Sequence, residues 1–151
     1  IFTDPYAASA LSGEIESRYW LVEKVLSAQL SNLELHTSVQ IPAGSNRADF
    51  ITDTCSKVDS ALRQLRSSFP SFSGTIVVCL YQHDPNVFHH RRINFRLQNS
   101  ELPFILEKGL DVFKSSKIPE VTEIAPISPG AFSEHLAGIT RNLTLVRRIE
   151  I

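Results

Sequence analysis

The feature that most restricts what this chain can fold into is the run Thr75-Ile-Val-Val-Cys-Leu-Tyr81. It has the length of a strand, is rich in β-branched side chains and shows no polar alternation. A strand apolar on both sides needs cover on both faces, as inside an α/β sheet. Upstream of it, Ile51, Cys55, Val58, Leu62, Leu65 and Phe69 recur at steps of four and three. That stripe predicts a helix from about Arg47 to Ser67, too short for a coiled coil and suited to packing on a sheet. Pro70 and Gly74 punctuate the chain between helix and strand.

The flanking segments extend the pattern. Ile1 to Thr3 reads as a short strand ended by the turn signal Asp4-Pro5. Ser12 can cap a helix starting near Gly13, with Ile15, Tyr19, Val22, Leu26 and Leu30 at helical spacing. Trp20 lies off that stripe and is assigned to the core margin, with an interface anchor as the alternative. Leu33, Leu35, Thr37, Val39 and Ile41 alternate, which predicts a half-buried strand. Residues Pro42 to Asn46 read as a loop. Strand, helix, strand, helix, strand implies parallel strands with crossover helices. Further on, Arg92–Leu97 and Phe104–Lys108 read as strands joined by a loop from Gln98 to Pro103. Ile118–Gly130, with three prolines, reads as loop. Leu143–Ile151 reads as a last strand. The expected fold class is α/β, with a mixed sheet flanked by helices and later strands partly antiparallel.

Composition narrows the class. At 151 residues the chain suits a single domain, 1–151, and the absence of methionine suggests one excised from a longer protein. No apolar run approaches the roughly 20 residues of a membrane span, and no leader is visible, so a cytoplasmic setting is expected, peripheral to membranes if it contacts them. Lys and Arg total 15 against 16 Asp and Glu. That balance argues against a dedicated duplex-DNA binder while leaving room for a local basic patch. Two cysteines, Cys55 and Cys79, make neither a disulfide framework nor a zinc cluster and are expected as free buried thiols. Asn142-Leu-Thr144 matches a glycosylation sequon and, without a secretory signal, reads as chance. There is no Gly-x-Ser-x-Gly and no Gly-Lys-Ser/Thr, so neither a serine hydrolase elbow nor a P-loop is present.

The segment richest in chemistry is Phe88-His-His-Arg-Arg-Ile-Asn-Phe-Arg-Leu97. In a strand, His89, Arg91, Ile93, Phe95 and Leu97 share one face, and His90, Arg92, Asn94 and Arg96 the other. The odd set is apolar downstream and is expected to face the core. Arg91 would then need a carboxylate, and Asp111 is the expected partner in a structural ion pair. Arg92, Asn94 and Arg96 form a polar row, either a solvated face or a set of contacts to phosphate oxygens. Arg147 and Arg148 are candidates to extend it. His83, Asp84, His89 and His90 offer four potential ligands within eight positions. Pro85 interrupts them and no ligand-type spacing results, so no metal site is expected there, and no cofactor.

His89-x-Arg91-x-Ile93-x-Phe95, followed by Lys108-Gly-Leu-Asp-Val-Phe113, resembles the phospholipase-D-like domain at the C-terminus of MIT-domain (microtubule interacting and trafficking) proteins. The opening Asp4-Pro5-Tyr6 after a strand is similar to the start of that domain. The resemblance implies a phospholipase-D-like fold, self-association into a homodimer and contact with acidic phospholipid headgroups or protein partners, without phospholipase activity. True phospholipases D carry His-x-Lys-x4-Asp, normally twice. Here His89-x-Arg91 is followed by Arg96 at the acid position, and no second His-x-Lys exists. His89 is therefore a weak candidate for a catalytic nucleophile. The expected function is a non-catalytic module with His89, Arg91, Arg92, Asn94 and Arg96 at a phosphate or ligand site. The alternatives are a phosphodiesterase or nuclease of the same superfamily, acting as a dimer, and a nucleic-acid contact domain of a multi-domain prokaryotic system.

Overall fold

The computed structural model of the chain describes residues 1–13, 31–88, 91–106 and 124–151. The described residues run β1 (Phe2–Thr3), α1 (Ala7–Leu11), β2 (Asn32–Val39), α2 (Arg47–Ser68), β3 (Thr75–Gln82), β4 (Arg91–Leu97), β5 (Ser100–Leu106), β6 (Ile124–Pro126), α3 (Pro129–Asn142) and β7 (Leu145–Glu150). All seven of these strands join one sheet in the order β6-β5-β4-β1-β2-β3-β7. β1, β2 and β3 are parallel. β4 is antiparallel to β1, β5 to β4, β6 to β5 and β7 to β3. The mixed α/β sheet expected from the sequence is thus present, with the later strands antiparallel.

β3 shows why its sequence lacks alternation. It pairs with β2 on one side and β7 on the other. Ile76, Val78 and Leu80 point into a core built with Ala8 and Leu11 of α1 and Val58, Leu62 and Leu65 of α2. Cys79 and Tyr81 point the other way and pack against Ile139 of α3 and Leu143. Burying each large apolar side chain here is worth roughly 1.5–3 kcal/mol. α2 is fixed at its start by Asn46, whose side chain accepts from the Ala48 amide, an N-cap worth about 1 kcal/mol. Its fully buried line is Thr54, Val58, Leu62 and Leu65, with Ile51, Cys55 and Phe69 packed at the margin.

Gly74 is required by a close approach of two chains. A Cβ on it would sit 1.8 Å from the backbone oxygen of Ser31. The same oxygen accepts from Thr75 N at 3.1 Å, so the strand entry of β3 is laid directly on that of β2.

Three expectations are corrected. The proline-rich segment after Ile118 is not all loop, since α3 occupies Pro129–Asn142. Ser128 caps it by accepting from Ala131 N, and Pro129 takes the first turn, where its missing amide costs nothing. The loop expected from Gln98 to Pro103 shrinks to a two-residue turn, because β5 begins at Ser100. Pro103 is tolerated inside β5 for a specific reason. Its partner Asn94 turns both its backbone groups toward Ile1 of the neighbouring strand. The Pro103 carbonyl, in turn, points to the β6 side and accepts from Ile127 at 3.0 Å. The proline therefore removes a donor only at the end of the β5–β6 ladder. Third, the first helix among the described residues is α1, ahead of the one expected from Gly13; that helix and Trp20 fall on 14–30, outside the described residues.

Both edges of the sheet are short or charged. β6 has three residues including Pro126, and β7 carries Arg147, Arg148 and Glu150. No helix among the described residues is long and apolar enough to cross a membrane.

Candidate functional site

The chain lays β1, β2 and β3 side by side in one direction, then returns β4 to the opposite flank of β1. In open α/β sheets ligands gather outside the carboxyl ends of the strands at such a reversal. β1 ends at Thr3, which lies opposite Arg92 of β4. The Asp4–Tyr6 turn and Arg91 at the start of β4 therefore meet at one end of the sheet.

That end is tied together by side chains. Asp4 is buried and accepts from the Tyr6 amide at 2.8 Å. Arg91, 16% exposed, brings Nε to 3.4 Å from Asp4 Oδ1 and lays its guanidinium 4.9 Å from the centre of the Tyr6 ring. Among the described residues the carboxylate beside Arg91 is thus Asp4; the expected partner Asp111 falls on 107–123, outside them. The ion pair is within Coulomb reach but lacks hydrogen-bond geometry, since Arg91 Nε has no hydrogen-bond partner. Ser38 Oγ donates to the Pro5 carbonyl at 2.9 Å and meets His83 Nδ1 at 2.8 Å. Because the hydroxyl proton is used on Pro5, His83 Nδ1–H must donate, which leaves Nε2 as the acceptor. Burial pushes the His83 pKa down, with the Asp84 charge opposing.

Ile93 of the odd set packs against the core as expected, but the division does not hold along the whole of β4. Phe95 of the odd set is 43% exposed, whereas Asn94 of the even set is 2% exposed. α3 covers the even face at its upstream end, near Thr3 and Arg92. Arg92 reaches it, donating from a terminal nitrogen to the Ala131 carbonyl at 2.8 Å. Asn94 Nδ2 donates to Glu101 at 3.0 Å, and Arg96 pairs with the same carboxylate at 3.1 Å. Burial pushes the Arg92 pKa down. His89 and His90 lie outside the described residues.

One accounting separates β4 from the rest of the chain. Among the described residues, five buried side-chain polar atoms have no hydrogen-bond partner, and three of them are Arg91 Nε, Arg92 Nε and Asn94 Oδ1. Buried polar groups are nearly always paired, so these three atoms need partners beyond the described residues. Arg147 and Arg148 do not extend this row. They are successive, so they face opposite sides, opposite Leu80 and Cys79 respectively. β7 is four strand positions from β4, roughly 19 Å at about 4.8 Å per strand. A groove of about 340 Å³ between α2 and β7 contains Cys55, Asp59 and Arg147, remote from β4 for the same reason.

The sheet also assembles a polar group that the sequence reading missed. His36 and Cys79 are paired across β2 and β3, and Glu34 and Tyr81 flank them on the same face. His36 Nε2 lies 3.0 Å from Glu34 Oε1, and His36 Nδ1 lies 3.0 Å from Tyr81 Oη. The rings of His36 and Tyr81 stack at 15°. The hydrogen bond from His36 holds the Glu34 carboxyl below its usual range against the effect of burial. Burial pushes the Cys79 thiol up, with Glu34 adding to the shift and Arg148 opposing it. Burial also pushes the Tyr81 phenol up to about 12. The only signal in the sequence was position: Glu34 and His36 interleave with Leu33 and Leu35 in a strand buried on both faces.

No protein-family model, characterised protein or solved structure matches this chain. The class that the coordinates of the sheet define is a mixed α/β fold with a polar site at the β1–β4 reversal.

Proposed function

We propose that this chain is a non-catalytic, phospholipase-D-like module that binds anionic phosphate groups, with an acidic phospholipid headgroup as the target. The observation that carries the reading is Arg92. Its guanidinium is partly buried, no carboxylate among the described residues pairs with it, and its Nε is left without a partner beside the equally unpaired Asn94 Oδ1. A guanidinium presents forked donors that fit phosphate oxygens. Arg96, by contrast, is already neutralised by Glu101. One basic residue near an anionic surface contributes about 1 kcal/mol, so useful affinity requires two copies acting together, and a homodimer belongs to the proposal. The resemblance of His89-x-Arg91 and Lys108–Phe113 to the C-terminal domain of MIT proteins supports the same assignment. Lack of a second histidine motif, and Arg96 at the position where the motif has its acid, support the non-catalytic part.

The test is cosedimentation with phosphatidylcholine vesicles, with and without phosphatidylserine, alongside single- and double-stranded DNA at two salt concentrations. Binding should require the anionic lipid. Arg92→Ala should weaken it by about fivefold per copy, corresponding to about 1 kcal/mol, while Arg96→Ala should change it little. Equal binding to neutral vesicles, or indifference to Arg92→Ala, would refute the site. Tighter binding to DNA at both salt concentrations would transfer the assignment to nucleic acid. Hydrolysis of bis-p-nitrophenyl phosphate that vanishes in a folded His89→Ala variant would overturn the non-catalytic reading.

A further inference from the structure

We propose that Glu34, His36 and Cys79 form a binding site for a divalent transition-metal ion of the zinc class, separate from the phosphate site on β4. Each residue offers one ligand atom, and the three atoms all lie within 4.8 Å of one another. Carboxylate oxygen, imidazole nitrogen and thiolate sulfur together suit a borderline-soft ion such as zinc and suit calcium or magnesium poorly. The 3.0 Å between Glu34 Oε1 and His36 Nε2 is close to the roughly 3.3 Å separating two ligands held about 2.0 Å from one tetrahedral ion.

The surroundings resemble those of a built site. The ligands come from two adjacent strands in parallel register, His36 directly beside Cys79, so the backbone fixes their spacing. His36 Nδ1 meets the Tyr81 hydroxyl at 3.0 Å. An outer partner of this kind fixes ring orientation and leaves the other nitrogen to bind metal. His36 and Cys79 are buried, while the Glu34 side chain is 43% exposed. That asymmetry leaves an entry path and a fourth coordination position for water. Arg148, opposite Cys79, is occupied by Glu150 and does not place an unpaired cation on the site. β1 lies between this group and Arg92, so the two proposals stand or fall separately.

Cobalt(II) is the probe, because a cobalt-bound thiolate gives a charge-transfer absorption that carboxylates and histidines alone do not. The reduced 151-residue chain should develop that band on titration with cobalt, saturating at a single equivalent and reversed by zinc. Cys79→Ser should abolish the band. Glu34→Gln, at a half-exposed position that leaves the core intact, should weaken cobalt affinity at least about tenfold, the scale of a lost ligand or its support. Cys55→Ser should change nothing. Circular dichroism establishes that each variant is folded. Absence of the band in the wild type, its survival in Cys79→Ser or its loss in Cys55→Ser would each overturn the site.

Discussion

The position of His83 disfavours its protonated form. The ring donates Nδ1–H to a serine whose own proton is committed to Pro5, and burial lowers its pKa. The folded value therefore lies below the unfolded one, about 6.5. A group depressed in this way contributes stability that is complete above the unfolded pKa and lost as pH falls through the folded one. Urea denaturation midpoints should fall between about pH 8 and about pH 5, and His83→Gln should flatten that slope. Identical slopes in the two proteins would show that His83 does not control it. The same scale shows where residue-level reading of the sequence succeeds and fails. That Arg91 needs a nearby carboxylate follows from its row on β4. That Asp4 stands beside it does not, because a contact 87 positions away along the chain depends on sheet order. Asn94 was assigned to an open polar row for a related reason: alternation identifies two faces but cannot say what lies over each.

At the level of elements, the strands and α2 were legible because their signals are local: a stripe at helical steps, alternation, and an apolar run bounded by turn residues. α3 was missed because prolines dominated the reading of its segment. Yet Ser128-Pro129 is a cap followed by a first-turn proline, and Phe132, Leu136, Ile139 and Leu143 follow at helical spacing. Pro103 reads in the sequence as a boundary and lengthens the expected β4–β5 turn, whereas the ladder end beside it absorbs the lost donor. Gly74 marks a junction between elements, and its prediction belongs here. Gly74→Ala would force a Cβ into the Ser31 carbonyl, a contact with backbone that cannot rotate away. The expected loss is roughly 1–3 kcal/mol or more, the range of overpacked cores, read as a lower denaturation midpoint. Unchanged stability would mean that the two strand entries can separate without cost.

For the whole molecule, stability should be graded across the sheet. β2 and β3 share eight consecutive register pairs, Asn32↔Thr75 to Val39↔Gln82, and are covered on both faces. β6 holds on by three. Hydrogen exchange should therefore find the β2 and β3 amides opening only with global unfolding, and the β6 amides exchanging orders of magnitude faster through local opening. Uniform protection across the sheet would contradict this gradient. The global order β6-β5-β4-β1-β2-β3-β7 was not legible in the sequence, since periodicity says which residues form strands and nothing about which strand returns beside β1.

The two outermost strands have a consequence for how copies of this chain meet. An incoming strand at β7 would have to align its own backbone against Arg147, Arg148 and Glu150, and at β6 against three residues ending in Pro126. Side chains of this kind act as gatekeepers against edge-to-edge accretion. Template-driven growth into fibrils is thereby discouraged at both margins, even though the strands between them are apolar enough to sustain it. Edge-to-edge pairing of two copies is disfavoured at both of these strands.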